Sequence, residues 1–350
     1  MKTIIIFCNT GWNIYNFRKK LIIELKKKHK VIIIAGKDKY SNKIRKISKS
    51  YFLSLENRSL NFFKNFSEVL QLKKIIKNYP HSTIINFTNK SIILGTFAVL
   101  FKKIKVINVV TGLGHVYLQK NFFIKFILKF LYLFVNLRSN KIVVQNKYDK
   151  KYFENQFFTN NKVKLIYGSG VDTKKFLPIK KIKKKYKTFL YFGRVLKEKG
   201  IFNYLEAANF FKQNDSIVFK IVGELNYKNF SEVDKKLIKK FLKLKNVEFS
   251  KFKENILEII NYCDCVVLPS YREGFSKSLL ESTAMKKFII CSDVPGCNEI
   301  IKNNYNGYLF KKNNTENLIL TIEKYLNLPE KKIKIMESNS RKRTLKLFSD

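Results

Sequence analysis

The chain runs to 350 residues, of which 45% are hydrophobic and 27% charged; that size exceeds one ordinary core and that composition excludes a disordered chain, so two folded domains are expected. Lysine and arginine total 70 against 26 acidic residues, a net charge of +44. Only 8 of the 70 are arginine, so part of the excess is a lysine bias of composition, and the rest favours an anionic partner, either a membrane surface or a phosphorylated substrate.

The apolar run after Met1-Lys2 is broken at Asn9 and Thr10, too early for a secretory signal. No stretch reaches the roughly 18 apolar residues of a spanning helix. Buried strands are expected at Thr3 to Cys8, Lys30 to Ala35, Thr83 to Phe87, Lys105 to Val110, Lys141 to Val144 and Val163 to Ile166. Helical patterns lie between them, at Tyr15 to Lys27, Asn65 to Lys77 and Ser91 to Phe101. Such alternation gives right-handed βαβ units and a parallel sheet covered on both faces. The lysine-dense, poorly periodic stretch after Gly168-Ser169-Gly170-Val171-Asp172 reads as a linker. A second series follows, with strands at Thr188 to Phe192, Ile217 to Val222, Val247 to Phe249, Cys265 to Leu268 and Phe288 to Cys291. The expected organisation is an N-terminal Rossmann-like domain over 1–170, a linker over 171–187, a second Rossmann-like domain over 188–335 and a helical tail over 336–350. Two such α/β domains are expected to face each other across a cleft, with ligands at the carboxyl ends of the strands.

Five cysteines, Cys8, Cys263, Cys265, Cys291 and Cys297, are an odd number set mostly in apolar runs, which fits a reduced cytoplasmic location. Cys263 and Cys265 have half the spacing of a metal site, with no nearby Cys/His pair to complete it.

Two segments carry the chemistry. In Tyr191-Phe192-Gly193-Arg194, continued by Lys197-Glu198-Lys199-Gly200, a glycine at a strand end lets backbone approach a ligand. Arg194 offers a planar fork of donors and Lys199 a point charge, which together suit a diphosphate; in so lysine-rich a chain, a solvated turn is the plainer reading of either cation alone. In Tyr271-Arg272-Glu273-Gly274-Phe275-Ser276, Ser276 is placed as the N-cap of a helix running to about Met285, whose first amides suit anionic oxygen. Glu273 precedes that helix and Glu281 lies about one and a half turns into it, so the two carboxylates reach different parts of one extended ligand. Isolated acidic residues are usually surface groups, but Glu281 interrupts the apolar run Leu279-Leu280 to Ala284-Met285, where an unpaired carboxylate is costly.

At these residues the sequence resembles the retaining glycosyltransferases of family 4, which have the two-domain GT-B architecture. Glu273 and Glu281 match the E-x7-E signature with its E-G-F opening, and Gly193-Arg194 with Lys199-Gly200 match the G-R…K-G phosphate element. Asp293 to Gly296 with Glu299, then Asn306-Gly307, are similar to the D-x-x-G…E and N-G segments that follow. The resemblance implies that Arg194 and Lys199 hold the diphosphate of a UDP- or GDP-sugar and stabilise charge on the departing nucleotide. It implies that Glu281 accepts hydrogen bonds from the ribose hydroxyls and that Glu273 contacts the donor sugar. Gly193 and the amides of Gly274, Phe275 and Ser276 would line the sugar and phosphates. Metal-independent transfer without a cofactor is expected: no D-x-D triplet occurs, and cations already stand where Mg²⁺ would otherwise sit.

The first domain would carry the acceptor. Asn9, Thr10 and Gly11 follow the first strand, where they can approach either the donor phosphate or the acceptor, Arg18 lies in the next helix, and Gly114 and His115 follow the strand ending at Val110; the G-L-G-H form departs from the family's common H-D pattern. Thr111-Gly112-Leu113-Gly114 is similar to a subgroup acting on polyprenyl-diphosphate-linked sugars, including enzymes that add N-acetylhexosamine. The segment QKNFFIKFILKFLYLFVNLR, Gln119 to Arg138, packs aromatic and aliphatic residues around lysines. It suits the interface of an anionic membrane, with the lysines snorkelling to headgroups; a core helix is the plainer reading. The expected protein is therefore a cytoplasmic enzyme, peripheral to the inner face of the membrane, acting on a lipid-linked glycan in cell-surface polysaccharide assembly. A GT-B-like sugar-nucleotide epimerase is the alternative. A nucleic-acid-binding protein is less favoured, because the basic residues are spread rather than clustered with interleaved aromatics, and no specific nucleic-acid partner is expected. The chain stops at Ser349-Asp350, where relatives usually continue with a further helix.

Overall fold

The computed structural model describes residues 1–55, 61–113, 121–157, 161–179, 184–224, 235–251 and 256–350. Two compact units divide the chain, Met1–Ser169 and Gly170–Asp350. In the first, strands β1 (Thr3–Cys8), β2 (Lys30–Gly36), β3 (Lys49–Leu53), β4 (Thr83–Phe87), β5 (Lys105–Val110), β6 (Lys141–Val144) and β7 (Val163–Leu165) form one sheet in the order β3-β2-β1-β4-β5-β6-β7. Every pairing in it is parallel. In β1, Ile5 and Phe7 enter one core cluster, whereas Ile4, Ile6 and Cys8 enter another. A β-branched run without polar alternation thus fills both faces of a covered sheet.

The helices of this unit are α1 (Gly11–Phe17), α2 (Lys19–Lys26), α3 (Ser41–Arg45), α4 (Phe62–Lys77), α5 (Asn89–Ala98), α6 (Phe122–Arg138) and α7 (Lys147–Phe157). The single helix expected from Tyr15 to Lys27 is two. Thr10 starts α1 early by accepting the Asn13 N–H at 3.2 Å, and Arg18, at φ −124°, separates α1 from α2. Strand β3 escaped the sequence reading because its KSYFL, on the sheet edge, is only partly buried. Helix α6 buries Tyr132 and Val135 against Ile142, Val144 and Phe153, yet leaves Phe122, Phe123, Phe126, Phe130 and Leu137 exposed. These exposed positions recur at helical spacing and form one apolar stripe. No helix of the described residues is long and apolar enough to cross a membrane.

The second unit holds β8 (Lys187–Phe192), β9 (Ile217–Val222), β10 (Val247–Ser250), β11 (Cys265–Leu268), β12 (Phe288–Ser292) and β13 (Tyr308–Phe310), in the order β10-β9-β8-β11-β12-β13. This sheet too is parallel throughout. Its helices are α8 (Ile201–Phe210), α9 (Lys235–Phe241), α10 (Ile256–Tyr262), α11 (Lys277–Ala284), α12 (Thr315–Leu326) and α13 (Glu330–Leu347). The core is aromatic: Phe189 stacks on Phe219 at 5.3 Å, and Phe288 meets Tyr325 at 4.6 Å.

Residues expected to link the domains belong to this unit. The Val171 N–H donates to the Phe348 carbonyl at 2.9 Å, and Val171 and Phe176 are buried. Arg341 donates to the carbonyls of Thr173, Phe176 and Ala284. The tail expected at 336–350 is the body of α13, which buries Ile333, Met336, Ser340 and Thr344 along one face against α11 and β12. Lysine density concealed both contacts, since the anchoring residues are few and widely spaced.

Candidate active site

Each sheet reverses its winding direction once, and such a point opens a crevice at the carboxyl ends of the two strands involved. In the second unit the reversal lies between β8 and β11. The two segments singled out in the sequence are the loops that leave these strands.

After β8, Gly193 takes φ +144° and donates its N–H to the Val222 carbonyl at 3.0 Å. A Cβ there would meet nothing within 4 Å, so the space beside this backbone is open. The buried Tyr191 hydroxyl donates to the Arg194 carbonyl at 2.7 Å, which fixes the turn while the Arg194 side chain stays exposed. Lys197–Lys199 then form one 3-10 turn closed by Gly200 at φ +71°. A Cβ at Gly200 would overlap the Pro269 carbonyl oxygen, so only glycine lets this turn press against the end of β11. The Tyr271 N–H donates to the Glu198 carbonyl at 2.9 Å, tying the two loops together.

That tie brings Lys199 to Glu273. Lys199 Nζ lies 2.6 Å from Glu273 Oε1, and Ser270 Oγ donates to the same oxygen at 2.7 Å. Their side chains are 20% and 10% exposed. A charge-assisted bond so enclosed fixes both groups, and removing either partner strands the other. Tyr191 reports the same neighbourhood: burial, then the Glu273 charge, push its hydroxyl acidity down, with Arg194 acting against them.

Beyond Glu273, Ser276 caps α11 by accepting the Leu279 N–H at 3.4 Å, and its own N–H donates to the Gly296 carbonyl at 3.3 Å. The Ser276 amide, expected to line the ligand, is therefore committed to the protein, and Ser276 is buried. Gly296 has φ +78°, and a Cβ there would approach the Gly274 and Glu273 carbonyls to 2.6 and 2.8 Å. The Asp293 to Gly296 loop thus braces the backbone that carries Glu273. Phe275 packs edge-to-face on Phe348 at 5.3 Å, a contact without any local sequence signal. Asn306 and Gly307 build a turn: Asn306 Oδ1 accepts the Lys302 N–H at 2.7 Å, and a Cβ at Gly307 would crowd Ile289.

Glu281, on α11, is half-buried. Burial pushes its carboxyl up to about 7, with Lys277 and Lys175 pulling the other way. Lys175 lies in the segment read as a linker, and its part in the site was invisible without the fold. Among the described residues no group of three or more His, Cys, Asp or Glu is placed to hold a metal. All five cysteines are buried free thiols.

In the first unit, Asn9 Oδ1 accepts the Thr88 hydroxyl at 2.9 Å. Thr10 caps α1, and Gly11 sits where a Cβ would come within 2.6 Å of Asp38 Oδ1. Thr10 and Gly11 thus shape the loop after β1. Arg18 is buried beside Phe87. Gly114 and His115 lie outside the described residues.

Comparison with known proteins agrees with this architecture. Residues 172–343 match the family model of the glycosyl transferases group 1. The chain is 30% identical over 328 residues to N,N'-diacetylbacillosaminyl-diphospho-undecaprenol alpha-1,3-N-acetylgalactosaminyltransferase of Campylobacter jejuni, covering 89% of this chain and 85% of that one. It is 24% identical to UDP-Gal:alpha-D-GlcNAc-diphosphoundecaprenol alpha-1,3-galactosyltransferase of Escherichia coli, over 86% of this chain and 80% of the other. Sucrose-phosphate synthase of Thermosynechococcus elongatus superposes with a TM-score of 0.83 at 17% identity, covering 100% of this chain and 95% of that one, so the fold is GT-B. With parallel Rossmann-like sheets in both units and a relative at 30% identity along most of its length, the chain belongs to the group 1 glycosyl transferases.

Proposed function

We propose that this glycosyltransferase moves a hexose or N-acetylhexosamine, with retention of configuration, from a UDP- or GDP-sugar to a polyprenyl-diphosphate-linked glycan at an anionic membrane surface. The observation that carries the reading is the Lys199–Glu273 pair, held at the reversal point of the second sheet beside the open backbone of Gly193. As the sugar–phosphate bond breaks, negative charge collects on the leaving diphosphate. Lys199, fixed by Glu273, and the exposed Arg194 supply cations that need not reorganise at that moment. Glu273 uses its remaining oxygen on the sugar hydroxyls, and Glu281 takes the ribose. Gly193, Gly274 and Phe275 line the donor, while the first unit takes the acceptor. With two cations doing the work of charge neutralisation, no metal is needed, and activity should persist in excess EDTA.

The lipid-linked acceptor is supported by the relatives, whose names specify undecaprenyl-diphosphate-linked sugars. Contact with the membrane is supported by the exposed aromatic stripe of α6. A thermal-stabilisation screen of UDP- and GDP-sugars tests the donor, since a ligand at about 100 times its Kd adds roughly 2.7 kcal/mol. The matching sugar should then be transferred to a diphosphate-linked lipid acceptor with its anomeric configuration kept. Donor conversion in the absence of acceptor would indicate an epimerase instead.

A further inference from the structure

Arg18 is a buried cation that has no carboxylate counter-ion among the described residues. It is 6% exposed, and its Nε has no hydrogen-bond partner. Its guanidinium carbon lies 4.2 Å from the centre of the Phe87 ring. The neighbouring titratable group is the Cys8 thiol, which burial pushes up to about 11 and so keeps neutral. A buried, unpaired charge is among the costlier features a fold can retain, and a partner of opposite charge would relieve that cost.

The surroundings say where. Phe87 ends β4 and is paired with Cys8 at the end of β1, and these are the strands between which the first sheet reverses direction. One residue further, the Asn9–Thr88 hydrogen bond bridges the two loops. Thr88 precedes α5, a helix of 10 residues, but its hydroxyl is turned to Asn9, and α5 receives no side-chain cap. The buried guanidinium and an uncapped helix N-terminus therefore converge on one end of the sheet.

We propose that Arg18 and the N-terminus of α5 form an anion subsite in the first unit that receives a diphosphate. The inference rests on the function proposed above, in which two diphosphates are at hand: that of the lipid acceptor and that of the nucleotide donor. Both are anions of the same chemistry, and the two sources are separable by experiment.

The test uses the full chain. Pyrophosphate is titrated into protein saturated with UDP while the Nε–H resonance of Arg18 is followed; with 8 arginines in the chain the spectrum is sparse. If the acceptor's diphosphate binds here, pyrophosphate moves the resonance in the UDP-saturated protein. Arg18→Met then weakens that binding at least ten-fold and raises KM for the lipid acceptor but not for the donor. If the donor's diphosphate binds here, UDP alone moves the resonance, and Arg18→Met weakens UDP. In either case the Tm of ligand-free Arg18→Met should be unchanged or higher, because an unpaired buried charge has gone. An Arg18 resonance indifferent to both pyrophosphate and UDP overturns the subsite, and being read on the native chain it does not depend on the variant folding. Failure of every nucleotide-sugar to stabilise the protein, with pyrophosphate still moving Arg18, would sink the proposed function and leave the subsite standing.

Discussion

Lys199 and Glu273 are 74 residues apart in the chain and 2.6 Å apart in space, and their contact sets the expected kinetics. Lys199→Ala should lower kcat by about 100- to 1,000-fold, the usual effect of losing one preorganised donor to a leaving group. Glu273→Gln removes the counter-charge that aims Lys199 and, on the proposed function, a sugar contact as well. The double variant should then lose less than the sum of the singles, and additive losses in a double-mutant cycle would show that the two act separately. Glu281 predicts a pH effect. Its folded carboxyl titrates at about 7 because burial disfavours the anion, so it costs nothing below the ordinary carboxylate range, the cost grows as pH rises through that interval, and it is full above about 7. Since Glu281 keeps partial exposure, that cost is about 1 kcal/mol. Glu281→Gln should raise Tm by about 2–4 °C at pH 8 and leave it unchanged at pH 4. The same variant should weaken UDP by about ten-fold if the carboxylate holds the ribose; tighter or equal binding would remove that role.

Helices α11 and α13 show how a site loop is braced from a distance. Arg341 on α13 gathers three carbonyls, those of Thr173, Phe176 and Ala284, and so joins the start of the second unit to the end of the helix that bears Glu281. Thr344 adds a 2.7 Å hydroxyl contact to Thr283. Arg341→Ala strands buried acceptors and should cost about 2–4 kcal/mol, lowering both Tm and UDP affinity. Arg341→Lys should recover little, because a single ammonium cannot span a fork of three oxygens; full rescue by lysine would mean that charge alone matters. These braces explain what could be read beforehand. A strand such as β11 is legible because a fully covered strand is apolar along its whole length. Glu273, Lys199 and Gly200 are legible because their chemistry is local to a strand end. Lys175, Arg341 and the Phe275–Phe348 contact are not, since each acts across a long span of chain, where a lysine-rich sequence hides them. The commitment of the Ser276 amide to Gly296 is not legible either, because a capping residue reads the same whether or not its own N–H is already taken. Only the fold brings Gly296 against it.

At the scale of the whole molecule the charge of +44 is too large to be the work of one site, and it acts as a field. A cationic protein is drawn to an anionic bilayer, each lysine near the surface contributing about 1 kcal/mol at moderate ionic strength, and the attraction fades over a Debye length. The charge alone would bind any polyanion; the proposed membrane contact would add to it the exposed stripe of Phe122, Phe126 and Phe130 on α6, an apolar face suited to the acyl boundary. The two contributions are separable. Salt should release the protein from vesicles containing anionic lipid, and vesicles of neutral lipid should bind it weakly at any ionic strength. Phe126→Glu with Phe130→Glu should lower the salt concentration at which anionic vesicles release the protein, while leaving the net charge near its present value and transfer to a water-soluble acceptor analogue unchanged. Between about 0.1 and 1 M salt the Debye length falls from about 10 to 3 Å, so kcat/KM for an acceptor embedded in anionic vesicles should fall steeply while that for the soluble analogue changes little. Equal salt dependence on the two acceptors would place the effect in the diphosphate contacts rather than at the membrane, and the exposed face of α6 would then need another partner.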